Sequence, residues 1–148
     1  MLVTMDDERS ELSDVNIVIR DGIIEQICGS NDQIQIDGVP TVDMSDYAVF
    51  PGLINTHHHL YQTLTRAVPG AQNTGLFEWL RTLYPIWGKM DGEAVYISSL
   101  IGLAELLLSG CTSSADHLYM YPNGARLDDS IRAATELGIR FHPTRGSM

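Results

Sequence analysis

The alternation of short apolar runs with helical patterns after residue 52 is the feature that most constrains the fold. Three runs read as strands, at residues 53–57, 111–119 and 139–146, and three segments have helical spacing, at residues 76–87, 92–110 and 128–138. Strands that alternate with helices in this way predict a parallel sheet with right-handed crossovers. We therefore expect an α/β fold, in which the first strand, apolar along most of its length, is buried on both faces.

Local signals set the expected ends of the helices. The helical spacing of the first helix holds until Pro85, which is expected to end it because proline cannot donate the backbone hydrogen bond of a helix interior. Gly110 and Gly138 lie just past the second and third helices. Glycine is favoured there because the chain leaves a helix through a left-handed backbone conformation.

Residues 1–50 have β character instead. Residues 15–29 consist of two β-branched runs around Asp21-Gly22, a pair that is typical of a type I′ hairpin turn. Residues 30–40 read as a loop around a short strand, and residues 41–52 read as an extended piece that Pro51-Gly52 ends. Together these segments predict a small β layer.

The length of the chain bears on how much of a fold it contains. The 148 residues end after the third strand. Because a strand buried on both faces needs a covering helix, we expect this chain to be the N-terminal part of a longer protein. A closed (β/α)8 barrel needs at least about 200 residues, so this chain would supply about three of the eight units. The predicted domains are residues 1–50, part of a small β domain, and residues 51–148, the first three β/α units.

Charge and composition exclude several partners. The net charge is −10 at pH 7 and the pI is about 4.6, so the chain repels phosphate backbones and nucleic acid is not an expected partner. The longest apolar stretch contains Glu105 and is too short to span a bilayer, so no membrane association is expected. The N-terminus lacks the apolar segment of a signal peptide, and Cys28 and Cys111 form no disulfide framework. We expect a cytoplasmic protein.

Three consecutive histidines, His57 to His59, follow the first apolar run. Because side chains alternate along a strand, His57 and His59 are expected on one side and His58 on the other, in a packing or supporting role. Two imidazoles one residue apart can reach a single ion at nitrogen–metal distances of about 2.0–2.1 Å. The carboxyl ends of barrel strands are also where active sites form. The segment therefore predicts half of a metal site, with a solvated turn as the alternative.

The segment 51-PGLINTHHHLYQTLTR-66 resembles the first-strand signature of the amidohydrolase superfamily. The segments LFEWLRTLYPIW, GLAELLLSGCTSSADHLYMYPNG and RFHPTRGSM are similar to its cytosine-deaminase-like and triazine-hydrolase-like branch, and within that branch to the 8-oxoguanine deaminases. The resemblance covers nearly the whole chain. It implies a (β/α)8 TIM-type barrel beside a small β-sandwich domain, to which residues 1–50 would contribute.

The same resemblance implies a chemistry. His57 and His59 would ligate one catalytic divalent metal, with zinc favoured and iron as the alternative. The metal would activate a water that attacks the ring carbon bearing an amino group, and ammonia would leave. For an 8-oxoguanine-type substrate the product would be urate. The proton-shuttle residues and the remaining ligand are expected beyond residue 148.

Four residues are candidate substrate contacts. Gln62 matches the HxHxxQ pattern of related purine deaminases, and its amide can pair with a ring edge as donor and acceptor. His117, near the carboxyl end of the second strand, either lines the pocket or is a core histidine. Arg145, at the end of the third strand, either reaches a substrate carbonyl or forms an ion pair. Trp79 on the first helix would cap the active-site mouth, although aromatic residues at helical spacing are more often core.

Three functions remain open at this point. The first is a metal-dependent aminohydrolase acting on a small heterocycle such as an oxidised purine or pterin. The second keeps the scaffold and changes the leaving group, as in a triazine chlorohydrolase. The third is a non-catalytic fragment, because catalytic zinc sites normally use three protein ligands and two histidines leave such a site incomplete. On this reasoning the 148-residue piece alone is expected to be inactive, and the resemblance implies a homodimer for the whole protein.

Overall fold

The computed structural model describes residues 1–34 and 38–147. The chain divides into two compact units, Met1–Pro51 and Gly52–Met148. Among the described residues, no helix combines the length and the apolar character that a membrane span requires. The assignment of the first unit to a β-sandwich and of the second to a closed barrel stays a prediction.

The first unit contains the hairpin that the sequence predicts. Two short strands, β1 (Leu2–Val3) and β2 (Glu11–Leu12), pair antiparallel and are followed by the hairpin of β3 (Val15–Arg20) and β4 (Ile23–Gly29). Asp21 and Gly22 have φ angles of 50° and 76°. Positive φ at both positions is what a type I′ turn requires, so the predicted hairpin is confirmed.

The extended piece expected at residues 41–52 is wrong for most of its length. Among the described residues only Val49 of this piece pairs, through a single parallel bridge to Leu2. The Asp43 carboxylate accepts the N–H of Ser45 at 2.9 Å, and this local bond favours a turn over a strand. The short strand expected within residues 30–40 includes residues 35–37, which lie outside the described part of the chain.

The second unit has the predicted order of strands and helices. After β5 (Leu53–Asn55) come α1 (Leu76–Trp87), α2 (Gly92–Leu108), β6 (Cys111–Leu118), α3 (Leu127–Leu137) and β7 (Arg140–Arg145). The three strands form a parallel sheet in the order β5-β6-β7, with β6 in the centre. The α/β class is therefore confirmed for the described residues, with two helices, α1 and α2, between the first two strands and one between the second and third.

Strand β5 differs from the expectation in length and in burial. It ends at Asn55 rather than at His57, and Leu53 and Ile54 are 62% and 71% exposed rather than buried on both faces. The reason is that β5 lies at the edge of the sheet and pairs with β6 alone among the described residues. Its other edge and much of its apolar surface are therefore open in this unit.

Helix α1 continues past Pro85 to Trp87, so the expectation that the proline ends the helix is wrong by two residues. Pro85 removes one main-chain donor, but the N–H groups after it continue the helical hydrogen bonding, and that of Gly88 donates to the Tyr84 carbonyl at 2.8 Å. The predicted ends of the other two helices are confirmed: Gly110 and Gly138 have φ angles of 86° and 70°, just past α2 and α3.

Two clusters of buried side chains form the core of the second unit. One includes Tyr61, Leu83, Trp87 and Leu118, and the other includes Leu60, Leu103, Ala133 and Ile139. The adjacent residues Leu60 and Tyr61 belong to different clusters and begin a 3-10 helix, Leu60–Thr65. The chain that follows the three histidines is therefore anchored in both halves of the core.

Candidate metal centre

The rings of His57 and His59 are neighbours, as two ligands of one ion must be. Their centroids lie 4.9 Å apart and their planes are perpendicular. Because β5 ends at Asn55, strand alternation is not what brings the two rings together, in contrast to the sequence argument. The N–H of His57 donates to the Asn55 side chain at 3.0 Å, which starts an irregular turn after the strand.

The imidazole of His59 is oriented by the strand beside it. Its Nδ1 lies 2.8 Å from the carbonyl oxygen of His117. A carbonyl oxygen only accepts hydrogen bonds, so this contact requires the proton on Nδ1 and leaves the lone pair of a neutral ring on Nε2. Metal-binding histidines commonly donate their second ring nitrogen to a carbonyl in this way. The donor set therefore fits a divalent ion.

Leu60, the residue after His59, is held at both of its main-chain groups. Its N–H donates to Asp116 Oδ1 at 2.7 Å, and its carbonyl accepts the hydroxyl of Ser98 on α2 at 2.8 Å. The Leu60 side chain is fully buried. These contacts connect residues 57–60, called the histidine segment below, to β6 and α2.

His58 is half-buried against charged residues of a neighbouring helix and turn. Burial lowers the pKa of His58, electrostatic interaction with His59 and Arg66 lowers it further, and Glu105 opposes the shift. Its Nδ1 has no hydrogen-bond partner within the described residues. A hollow of about 250 Å³ is lined by His57, His58, His59, Gln62, Thr63 and Arg66. The supporting role expected of His58 stays a prediction.

Gln62 lies between two tyrosine hydroxyls. Its Nε2 donates to Tyr119 Oη at 2.9 Å and to Tyr61 Oη at 3.1 Å. The Tyr119 ring in turn packs edge-on against His59, with centroids 5.2 Å apart. Gln62 is thus connected to the histidine pair through Tyr119, and its contact with a substrate stays a prediction.

His117 is brought close to the histidine pair, with its ring centroid 5.6 Å from that of His59. Its neighbour Gly146 is a further residue on which the site depends, because even a Cβ atom there would overlap the His117 imidazole. The N–H of Gly146 donates to the Leu118 carbonyl at 2.7 Å, which keeps the glycine backbone in place. No local signal reveals this requirement, because Gly146 and His117 are distant in the sequence.

The other two substrate candidates lie against aromatic side chains. The Arg145 guanidinium lies 5.0 Å from the centre of the Tyr121 ring, in a cation–π contact. Trp79 packs against Trp87 of the core, with ring centroids 5.2 Å apart. The structure thus gives both residues a packing partner, and their contacts with a substrate stay predictions.

Asp116 is a second residue of the site that no sequence motif indicates. It is 1% exposed on the central strand β6, and burial raises its pKa to about 6, partly offset by the Leu60 N–H and by His59. Its Oδ2 is buried without a hydrogen-bond partner in the described part of the chain. The available signal was a carboxylate within a strand of small and apolar residues, where an isolated charge is costly.

The described residues contain no group of three or more histidine, cysteine, aspartate or glutamate side chains placed to hold one ion. Cys111 is buried, and its thiol contacts the carbonyl of Ser113 at 3.1 Å.

Known proteins resemble this chain over most of its length. The sequence pattern of the amidohydrolase family matches residues 48–148. An 8-oxoguanine deaminase of Pseudomonas aeruginosa is 46% identical over 89% of this chain and 30% of its own length. The hydroxydechloroatrazine ethylaminohydrolase of Pseudomonas sp. (strain ADP) is 36% identical, over 99% of this chain and 33% of its own length. The chain thus spans about a third of the length of these curated relatives.

A solved structure has the same arrangement of elements. The atrazine chlorohydrolase of Arthrobacter aurescens TC1, crystallised in complex with zinc, superposes with a TM-score of 0.79 at 30% sequence identity. The match covers 97% of this chain and 33% of that enzyme. The described fold is therefore one that a zinc-binding hydrolase also adopts.

Proposed function

The chain belongs to the amidohydrolase family, and from this membership we propose that the whole protein is a metal-dependent aminohydrolase that cleaves a C–N bond of a purine-like heterocycle. The proposed reaction is 8-oxoguanine plus water to urate plus ammonia. A bond forms between water oxygen and the ring carbon that bears the amino group, and the bond from that carbon to the amino nitrogen breaks. We propose a (β/α)8 barrel with a small β-sandwich for the whole protein.

The observation that carries this proposal is the His57–His59 pair. The rings lie 4.9 Å apart, and the contact of His59 Nδ1 with the His117 carbonyl leaves Nε2 with a lone pair for an ion. When bound, a divalent ion lowers the pKa of water towards neutrality and so supplies the attacking hydroxide. Zinc is the proposed ion, with iron as the alternative, because imidazole suits both.

The residues around the histidine pair have proposed roles in orienting the substrate. Gln62, held by Tyr119, is proposed to pair with an edge of the heterocycle through its amide. His117 is proposed to line the same space, because its ring lies beside that of His59. The identity of 46% with an 8-oxoguanine deaminase favours a purine as the heterocycle.

A second candidate function is hydrolysis of a substituted triazine. It is favoured by the 36% identity with a hydroxydechloroatrazine ethylaminohydrolase and by the TM-score of 0.79 with an atrazine chlorohydrolase. Both candidates use the same pair of histidines, so the distinction between them lies in the pocket that receives the ring.

Turnover of a substrate panel by the protein at its full natural length tests the proposal. Ammonia release is measured with 8-oxoguanine, isoxanthopterin and guanine, and chloride release with a chlorotriazine. We expect 8-oxoguanine to give the highest kcat/KM. A higher kcat/KM for the triazine would replace the purine proposal with the triazine one, and no turnover of any compound would refute both.

The 148-residue piece alone is proposed to release no ammonia, since it provides two ligands.

A further inference from the structure

Strand β6 contacts each of the three residues at the end of the histidine segment in turn. The N–H of His117 donates to the carbonyl of His58 at 2.9 Å, and His59 Nδ1 donates to the carbonyl of His117 at 2.8 Å. The N–H of Leu60 donates to Asp116 Oδ1 at 2.7 Å. Two adjacent residues of the central strand thus hold three adjacent residues of the histidine segment.

Only one of these three contacts depends on the identity of a β6 side chain. The two contacts of His117 use its main-chain N–H and carbonyl, which nearly any residue supplies. The third uses the carboxylate of Asp116, which is 1% exposed. A buried carboxylate lowers stability unless it is well hydrogen-bonded, so an apolar residue would serve β6 better if packing were its only purpose.

Residues 56–59, directly before the main-chain group that Asp116 holds, form no regular structure. Strand β5 ends at Asn55, the 3-10 helix begins at Leu60, and His57 between them is exposed. Metal ligands must be held within about 0.5 Å of their working positions to bind an ion well. The bond from Asp116 to the Leu60 N–H fixes the first main-chain group after His59, at the junction between the irregular residues and the 3-10 helix.

We propose that Asp116 is a positioning residue for the metal ligands, which acts through the Leu60 N–H and sets His57 and His59 for one ion before the ion binds. This inference rests on the proposed metal-dependent function. It differs from a purely structural role, because it predicts weaker metal binding by a protein that remains folded.

The test measures Co²⁺ binding by the protein at its full natural length after removal of its native metal. Asp116→Val and Asp116→Ala remove the acceptor, and valine suits a buried strand. Loss of a residue that orients a metal ligand typically weakens metal binding about 10- to 100-fold. We expect a loss of that size in both variants, together with a changed visible absorption spectrum of the bound Co²⁺. Asp116→Asn keeps an acceptor for the Leu60 N–H and should bind Co²⁺ almost as the wild type does.

Ser130→Ala is the matched control, because it removes a buried hydrogen bond elsewhere. The hydroxyls of Ser130 and Ser99 lie 3.0 Å apart between α3 and α2. This variant should lower the thermal midpoint and leave Co²⁺ affinity unchanged. Wild-type affinity in a folded Asp116→Val or Asp116→Ala variant would overturn the inference, and so would an Asp116→Asn variant that binds as weakly as these two. Absence of Co²⁺ binding by the wild type would instead refute the proposed function.

Discussion

At the scale of single residues, Gln62 links the histidine pair to the aromatic residues after β6. Its amide nitrogen is shared between the hydroxyls of Tyr119 and Tyr61, at 2.9 and 3.1 Å. The Tyr119 ring also packs against His59. One tyrosine therefore orients both a proposed metal ligand and a proposed substrate contact, by its ring and by its hydroxyl respectively.

The substitution Tyr119→Phe separates these two contributions, because it keeps the ring and removes the hydroxyl. We expect KM for 8-oxoguanine to rise about 2- to 10-fold, because the loss of one hydrogen bond costs about 0.5–1.5 kcal/mol. We expect a smaller change in kcat. Steady-state kinetics measure both constants. Tyr96→Phe, which removes a hydroxyl that contacts Glu136 between α2 and α3, is the control and should leave KM unchanged. An unchanged KM in Tyr119→Phe would argue against a substrate contact by Gln62.

Some residue roles could be predicted from the sequence and others could not. The pairing of His57 with His59 follows from a local motif, and the structure places their rings side by side. Asp116 acts on a residue 56 positions away, and Gly146 is required by the space that the His117 ring occupies. Such long-range contacts leave no local pattern, so the sequence alone did not indicate them.

At the scale of secondary structure, the 3-10 helix Leu60–Thr65 lies against α2 at a glycine. A Cβ atom on Gly102 would come within 2.8 Å of Thr63 Oγ1 and 2.9 Å of Leu60 Cδ2. Glycine is unfavourable in the middle of a helix by roughly 0.5–1 kcal/mol relative to alanine. Its presence in α2 is explained by the close approach of the 3-10 helix that follows the histidines.

The substitution Gly102→Ala should therefore destabilise the protein, although alanine is the better helix former. Overpacking of a core typically costs about 1–3 kcal/mol, which exceeds the gain in helix propensity. Urea denaturation followed by circular dichroism measures the change in the free energy of unfolding. In a Thr63→Ala background, which removes the nearest atom, the cost of Gly102→Ala should be smaller. Stabilisation by Gly102→Ala alone, or strictly additive effects, would contradict this packing.

The ends of elements were harder to predict than their existence. The sequence extends β5 to His57, whereas the strand ends at Asn55 because a side chain–backbone bond turns the chain there. Pro85 was expected to end α1, but the residues after it continue the helical hydrogen bonding, as the bond from the Gly88 N–H to the Tyr84 carbonyl shows. In both cases the element type follows from local periodicity, and the boundary depends on particular hydrogen bonds.

At the scale of the whole molecule, the alternation of strands and helices predicts a parallel sheet, and the structure contains one in the order β5-β6-β7. Burial was predicted less well, since Leu53 and Ile54 are exposed at the sheet edge. Burial of an edge strand depends on what packs beside it, and among the described residues nothing pairs with the outer edge of β5. The chain spans about a third of the length of its curated relatives. A complete (β/α)8 barrel has eight parallel strands, whereas the sheet of this unit has three among the described residues.

The central claim is that His57 and His59 hold the catalytic metal ion, and metal analysis of the protein at its full natural length tests it most directly. The metal content per chain is measured by mass spectrometry after dialysis for the wild type, His57→Ala, His59→Ala and His58→Ala. We expect about one zinc or iron per wild-type chain, as in a mononuclear catalytic site. That metal should be lost in His57→Ala and His59→Ala and retained in His58→Ala. Full metal content in folded His57→Ala and His59→Ala variants, or its absence from the wild type, would contradict the claim.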